Sequence, residues 1–139
     1  TIETLWPLKV VEGQDENENC SVFMLSYDGY KILITGDLDE KGEREMMDFY
    51  RGTDKLKADI LKIGHHGSAG STCDSFLEEV SPKMCVIQVG KNNYGHPDPK
   101  VIEKCRENSI MIFRNDIHGA VGFSFDGQIE YHKMIEEKG

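Results

Sequence analysis

The chain has 139 residues, of which 16 are basic and 25 acidic, and its formal net charge is −9. This length fits one ordinary domain with its own hydrophobic core, so no disulfide scaffold is needed. The negative charge opposes the general attraction of proteins to a phosphate backbone and argues against a protein that coats nucleic acid. Nucleic acid stays a candidate substrate only where a metal or a local basic patch offsets this repulsion.

The cysteines and the apolar segments indicate the cellular setting. The four cysteines are far apart and form no CxxC pair, which favours a reducing compartment. No apolar run approaches the roughly 20 residues of a membrane span, and the N-terminal TIETLWPLKV does not resemble a signal peptide. We expect a soluble, cytoplasmic chain without membrane contact of its own, unless it belongs to a membrane channel protein.

The first quarter of the chain predicts a β-hairpin. A short apolar run from Leu5 to Val11 precedes a polar, acidic loop over residues 13–19. Ser21 to Tyr27 reads as a strand, Asp28-Gly29 as a two-residue turn, and Tyr30 to Thr35 as the partner strand.

The middle of the chain predicts helices that alternate with strands. Residues 40–51 are typical of a surface helix that stops at Gly52. Ala58 to Ile63 is a predicted strand, and the helix up to Val80 has Ser71 or Thr72 as its possible N-cap.

The second half continues this alternation. The mostly apolar strand Met84 to Val89 runs into the turn-rich loop GKNNYGHPDP, and a helix over residues 100–108 follows. A strand from Ile110 to Phe113 precedes a terminal hairpin, Ala120 to Phe125 and Gln128 to Met134. No linker or repeat divides residues 1–139, so we predict a single α/β domain.

Two segments place metal-ligating side chains at strand ends. Asp37 follows the apolar run ILI at 32–34, and His65 and His66 follow a second run at 60–63. Carboxylate and imidazole suit zinc, manganese or iron. Both histidines can enter one cleft only if the chain turns at Gly64 or Gly67. The alternatives are a helix N-cap or a turn position for Asp37 and backbone-bonded loop positions for the histidines.

Further candidates lie in the loop after Val89 and in the strand before the histidines. His96 is a candidate catalytic or substrate-contacting group, or else an ordinary turn histidine. The neighbouring Asn92, Asn93 and Tyr94 could line the same pocket as hydrogen-bond donors. Lys62 interrupts an apolar strand, so it either extends to the surface or reaches a substrate anion.

The chain resembles the metallo-β-lactamase family, and specifically the hydrolase-like domain of DNA-internalisation competence proteins and its stand-alone relatives. The matching segments are ILITGD at 32–37, ADILKIGHHGS at 58–68, VIQVGKNNYGHP at 86–97 and NDIHGAV at 115–121. The family's upstream His-x-His-x-Asp-His motif has no counterpart in this sequence. The resemblance therefore implies the C-terminal half of an αββα sandwich, a partial domain that covers residues 1–139.

The resemblance also implies roles for individual residues. Asp37 corresponds to a carboxylate that bridges two metals, and His66 to a ligand of the second metal. His65 corresponds to a co-ligand or to an acid that protonates the leaving group, a role open to His96 as well. Asp116 and His118 match a family pattern near the edge of the site, or serve in a turn. Zinc is the expected metal, with manganese or iron as alternatives.

The implied activity is metal-dependent hydrolysis of phosphoester bonds, with DNA or a small phosphodiester as substrate. The expected partner is the missing N-terminal half of the domain or a second copy of the chain, because half a sandwich leaves apolar sheet surface uncovered. Two other functions stay open: a non-catalytic module that docks with the missing half, and a β-lactamase. The isolated chain is expected to be inactive.

Overall fold

A six-stranded sheet forms the frame of the protein, whose computed structural model describes residues 1–8 and 19–135. The strands are β1 (Ile2–Trp6), β2 (Val22–Tyr27), β3 (Tyr30–Ile34), β4 (Ile60–Lys62), β5 (Met84–Ile87) and β6 (Met111–Arg114). They lie side by side in chain order. The first three pair antiparallel, and β3 to β6 pair parallel.

The connections between the parallel strands are helical. The helices are α1 (Glu40–Phe49), α2 (Asp74–Val80), α3 (Pro99–Glu107) and the short α4 (Asn115–His118). A separate antiparallel pair, β7 (Val121–Phe125) and β8 (Ile129–Lys133), ends the described chain. Among residues 1–8 and 19–135, no helix combines the length and the apolar character needed to cross a membrane.

The predicted hairpin between β2 and β3 is confirmed. Tyr27 pairs with Tyr30, and the two turn residues Asp28 and Gly29 have φ values of 49° and 82°. Positive φ at both central positions defines the type I′ turn that matches the twist of the flanking strands.

One face of the sheet carries the hydrophobic core. Met24, Leu33, Leu61 and Cys85 align across the strand register and are all buried. The helices cover this face with apolar side chains from α1, α2 and α3, namely Met46, Phe76, Leu77, Val80, Val101 and Cys105. All four cysteines are free thiols.

The opposite face is only partly covered. Its apolar row runs through Ile2, Leu25, Ile32 and Ile60, of which Ile60 is buried and Ile2 is 74% exposed. The β7–β8 pair covers the far end, where Phe113 of β6 packs against aromatic rings of both strands. An apolar groove remains beside β1 and β2.

The predicted α/β class is confirmed, whereas the half-sandwich stays a prediction. Two details differ from the sequence prediction. Only the start of the predicted apolar run from Leu5 to Val11 lies in a strand, because β1 ends at Trp6. Residues 9–18, which hold the end of that run and most of the predicted acidic loop, lie outside the described residues. The N-cap of α2 is Cys73 instead of Ser71 or Thr72, because the Ser71 hydroxyl donates to the carbonyl of Gly64 instead.

Candidate functional site

The candidate site lies where the parallel strands β3, β4 and β5 end. Asp37 follows β3, His65 and His66 follow β4, and the loop that carries His96 follows β5. Carboxyl ends of neighbouring parallel strands lie at the same edge of a sheet, which is where α/β proteins place their ligand sites. The fold thus brings together side chains that are distant in sequence.

The two histidines occupy a tight left-handed turn, Gly64–Gly67. His65 and His66 have φ values of 45° and 54°, a region that residues other than glycine rarely occupy. The backbone amide of His65 donates to Gly36 O over 3.1 Å, and Ser71 Oγ lies 2.9 Å from Gly64 O. Such strain persists only where the surroundings enforce it, and it concentrates at functional sites. The predicted turn is present.

Asp37 and His66 face each other. Asp37 Oδ1 lies 3.6 Å from His66 Nε2, and both side chains are about half exposed. His66 Nδ1 lies 2.6 Å from the carbonyl oxygen of Gln88. A proton on Nδ1 donated to that carbonyl leaves the Nε2 lone pair directed at Asp37, which is the arrangement in which histidine binds metals.

The N-cap interpretation of Asp37 is wrong. Helix α1 is capped by Asp39, whose carboxylate accepts from the amide of Gly42 over 2.9 Å. The Asp37 amide instead donates to the thiol sulfur of Cys20 over 3.0 Å. The Asp37 carboxylate is therefore not used to start the helix.

His65 and His96 complete a row of rings. The His65 ring centroid is 6.3 Å from that of His66 and 6.0 Å from that of His96. The Tyr94 ring follows at 6.1 Å from His96. The three predicted site histidines thus lie in one row of neighbouring rings, and His66 lies beside the Asp37 carboxylate.

Asn92 shapes the loop that carries His96. Its side-chain oxygen accepts from the amides of Tyr94 and His96, both over 3.1 Å, and its nitrogen donates to the carbonyls of Gly90 and His96. Asn92 lines the cleft as predicted, but its amide hydrogens are already used by the loop, so it organises the loop instead of donating to a ligand.

The same loop packs directly on the histidine turn. A Cβ atom at Gly67 would lie 2.7 Å from Pro97 Cβ, and Gly67 has a φ of 81°. The carbonyl of Gly67 also accepts from the amide of Asp98 over 2.8 Å. Glycine is therefore needed here for both its conformation and its size.

The Lys62 side chain connects the loop that carries Asp37 with the loop that carries His65 and His66. Its ammonium donates to Gly36 O over 2.9 Å and to Ile63 O over 3.1 Å. Burial lowers the pKa of Lys62, an effect that the nearby Asp37 carboxylate opposes. Its side chain is tied to the backbone immediately before both candidate ligand segments, a contact that neither sequence interpretation of this residue included.

Glu43 is a buried carboxylate that the sequence analysis missed. It accepts from the amides of Thr72 and Cys73, the latter over 2.9 Å, and so holds the start of α2. Burial raises its pKa from 4.5 to about 7. A glutamate within the charged sequence EKGERE carries no signal that separates it from its exposed neighbours.

The remaining candidates make structural contacts. Asp116 pairs with Arg114, whose hydrogen bond lowers the pKa of that carboxyl. His118 is buried, and its Nδ1 accepts from the Arg114 amide over 3.0 Å. His132 is exposed on β8 near Ser124. These contacts favour the turn role for Asp116 and His118.

A small cavity opens beside His66 and His96. Its volume is about 200 Å³, and the loop over residues 89–94 forms its outer wall. Lys91 and Tyr94 of this loop are exposed. His66 lines the cavity, so a molecule bound there would lie next to this candidate ligand.

The donors present fit part of a metal site. An imidazole oriented through its second nitrogen and a facing carboxylate are the donor types that zinc takes. Within the described parts of the chain, however, no group of three or more His, Cys, Asp or Glu side chains is arranged to hold a metal ion. A complete site needs further donors beyond this set.

Comparison with known proteins relates the chain to competence proteins. It is 36% identical over 115 residues to ComE operon protein 3 of Bacillus subtilis (82% of this chain, 14% of the relative) and 38% identical over 110 residues to competence protein ComA of Neisseria gonorrhoeae (78% and 16%). Recombination protein 2 of Haemophilus influenzae is 30% identical over 124 residues (88% and 15%). The aligned part of the chain thus spans about one seventh of the length of these curated relatives. No family model matches the chain.

Proposed function

We propose that this chain provides part of the metal centre of a phosphoester hydrolase that acts in DNA uptake. The homologous competence proteins support the biological setting. The observation that supports the chemistry is the geometry of the Asp37–His66 pair. Asp37 Oδ1 lies 3.6 Å from His66 Nε2, and His66 Nδ1 lies within hydrogen-bond distance of the carbonyl oxygen of Gln88.

Each residue has a distinct part in this proposal. His66 Nε2 and the Asp37 carboxylate bind the metal, with His65 as a further ligand or as an acid. A bound divalent cation would polarise the phosphoryl group and lower the pKa of the attacking water, whose proton would pass to solvent. The water oxygen bonds to phosphorus, the bond from phosphorus to the leaving oxygen breaks, and His65 or His96 gives that oxygen a proton.

The partner in this proposal is a segment that supplies the other donors. Such a segment, carrying a His-x-His-x-Asp-His motif, would also cover the exposed apolar row of the sheet. A second copy of this chain is the alternative partner. The charge of −9 makes a non-specific duplex contact unfavourable, so the substrate is held at the site itself.

Metal titration tests the proposed ligands. Calorimetric titration with zinc or manganese should show that Asp37→Asn and His66→Ala each weaken binding by about 10-fold or more, since each removes a donor. The exposed His132 offers a matched control, and His132→Ala should bind as the wild type does. Equal affinity in all four proteins would refute the ligand assignment.

Activity requires the complete site. When the chain is co-expressed with a segment that carries the His-x-His-x-Asp-His motif, hydrolysis of bis(4-nitrophenyl) phosphate should depend on metal and fall on His66→Ala. Turnover of nitrocefin instead would favour a β-lactamase.

A non-catalytic docking module is the second candidate function. The observation in its favour is that the described residues hold no group of three metal donors. A co-expressed complex that forms normally, retains no metal and is indifferent to His66→Ala would establish this role.

A further inference from the structure

The loop over residues 89–96, the cavity loop, holds an aromatic side chain in an unusual position. Tyr94 is 84% exposed, although an aromatic ring on a soluble protein usually buries much of its surface. Asn92 fixes the backbone that presents it, because its side-chain oxygen accepts from the amide of Tyr94 over 3.1 Å. The ring is thus held outward by a hydrogen-bonded loop.

The position of this ring relates it to the candidate metal ligands. Tyr94 lies 6.1 Å from the His96 ring, centroid to centroid, and the two rings are tilted by 32°. The cavity of about 200 Å³ is lined by both rings and by His66. If the phosphate of a nucleotide lies next to His66, the base of the same nucleotide can therefore contact the face of the Tyr94 ring across the cavity.

Charge at the cavity points to an anionic ligand. Lys91 lines the cavity, while the chain as a whole carries a net charge of −9. An anionic ligand at this loop is thus attracted by the Lys91 ammonium, although the net negative charge of the chain repels it. Few phosphates can be contacted in this way, so stacking must supply much of the affinity.

We propose that Tyr94 and Lys91 form a subsite for one unpaired nucleotide, with the base stacked on the Tyr94 ring and the phosphate near Lys91. This inference rests on the proposed phosphoesterase function and names its substrate class: single-stranded nucleic acid instead of duplex or a phosphodiester without a base. Bases inside a duplex stack on each other and cannot reach the ring.

Binding without catalysis tests the subsite. Fluorescence anisotropy is measured for a labelled 12-nucleotide deoxyoligonucleotide with this chain in excess EDTA, which prevents hydrolysis. Tyr94→Ala should weaken binding by about 5- to 100-fold, whereas Tyr94→Phe should bind like the wild type because the stacking face remains. Tyr27 is 69% exposed at the end of β2, so Tyr27→Ala is the matched control and should have no effect.

Two further probes separate stacking from charge. An oligonucleotide of the same length with abasic sites, and the same sequence in duplex form, should both bind the wild type about as weakly as the intact strand binds Tyr94→Ala. The logarithm of affinity should fall with the logarithm of salt concentration with a shallow slope of about −1, and Lys91→Ala should reduce that slope by about 0.7.

The outcomes distinguish this inference from the proposed function. Equal binding by wild type and Tyr94→Ala, equal binding of abasic and intact strands, or no binding of any strand overturns the subsite. If metal affinity in the titration still depends on Asp37 and His66, the proposed metal site remains supported although the nucleotide subsite is rejected. Conversely, Tyr94-dependent binding together with no metal affinity supports the subsite and rejects the metal centre.

Discussion

The Lys62 ammonium donates to the carbonyl oxygen of Gly36 over 2.9 Å, directly beneath the Asp37 loop. A second hydrogen bond reaches Ile63 O, just before the histidine turn. One side chain from β4 thus holds the ends of two neighbouring strands in a fixed relation.

Lys62→Met should lower the free energy of unfolding by about 1–3 kcal/mol, because methionine keeps an unbranched stem but removes charged donors from a half-buried position. Urea denaturation measures the change. Lys83→Met is the matched control: the Lys83 side chain is 73% exposed where it pairs with Asp59, and its loss should cost less than about 1 kcal/mol. Equal destabilisation in the two variants would contradict the bridging role of Lys62.

Glu43 should make stability depend on pH. Its pKa is raised from 4.5 in the unfolded chain to about 7 in the folded protein, so the unfolded state loses this proton first as pH rises. Its contribution to stability is therefore complete below about pH 4.5 and decreases up to about pH 7, by at most about 3 kcal/mol.

Glu43→Gln keeps a neutral side chain at all pH values and should remove this slope. The measurement is the difference in unfolding free energy between wild type and variant at pH 5 and pH 8. Glu45 is exposed on the same helix, and Glu45→Gln should keep the wild-type profile. Parallel profiles for wild type and Glu43→Gln would show that the buried carboxyl titrates normally.

The contact between the histidine turn and the cavity loop can be tested at Gly67. Gly67→Ala combines a left-handed backbone with a Cβ atom 2.7 Å from Pro97 Cβ. Gly52 has a similar φ of 76° but open space around it, so Gly52→Ala carries only the conformational cost of about 1–2 kcal/mol. Thermal unfolding should show a further loss of about 1–3 kcal/mol for Gly67→Ala. Equal losses would mean that Pro97 moves aside freely.

The partly covered apolar row that begins at the exposed Ile2 predicts self-association in the absence of a partner. Sedimentation velocity at increasing concentration should show dimers or larger species of the wild type. Ile2→Lys should reduce association, because Ile2 is 74% exposed at the sheet edge. Phe49, 59% exposed on the helical side, provides the control Phe49→Lys, which should associate like the wild type. A monomer at all concentrations would remove the reason to expect a partner on this face.

Short-range signals in the sequence were enough to predict most of the elements. The Asp28-Gly29 turn, the stop after α1 and the alternation of apolar strands with helices depend on local conformation and periodicity, which the sequence displays directly. The cap of α2 was missed because the Ser71 hydroxyl donates to the distant carbonyl of Gly64, while the Glu43 carboxylate accepts from the amides of Thr72 and Cys73 just before the helix.

The candidate residues, whose role as a site stays a prediction, could be selected from the sequence, whereas the contacts that support them could not. Asp37, His65, His66 and His96 stood out because they follow apolar strands beside glycines. The orientation of His66 depends on a backbone carbonyl at Gln88, and a carbonyl is present in every residue and leaves no mark in the sequence. The role of Lys62 likewise depends on which strand lies beside β4, which is a property of the sheet and not of the segment.

The order of strands across the sheet matches their order along the chain, from β1 to β6. During translation each new strand therefore emerges next to an edge that has already been made, and no earlier pairing has to open to admit it. Because the sheet grows strand by strand from one side, the candidate site also forms in a fixed order. The Asp37 loop forms first, the histidine turn second and the loop of His96 third. A folding chain in which β5 has not yet added to the sheet would thus hold the candidate pair Asp37 and His66 without the support of the Gln88 carbonyl.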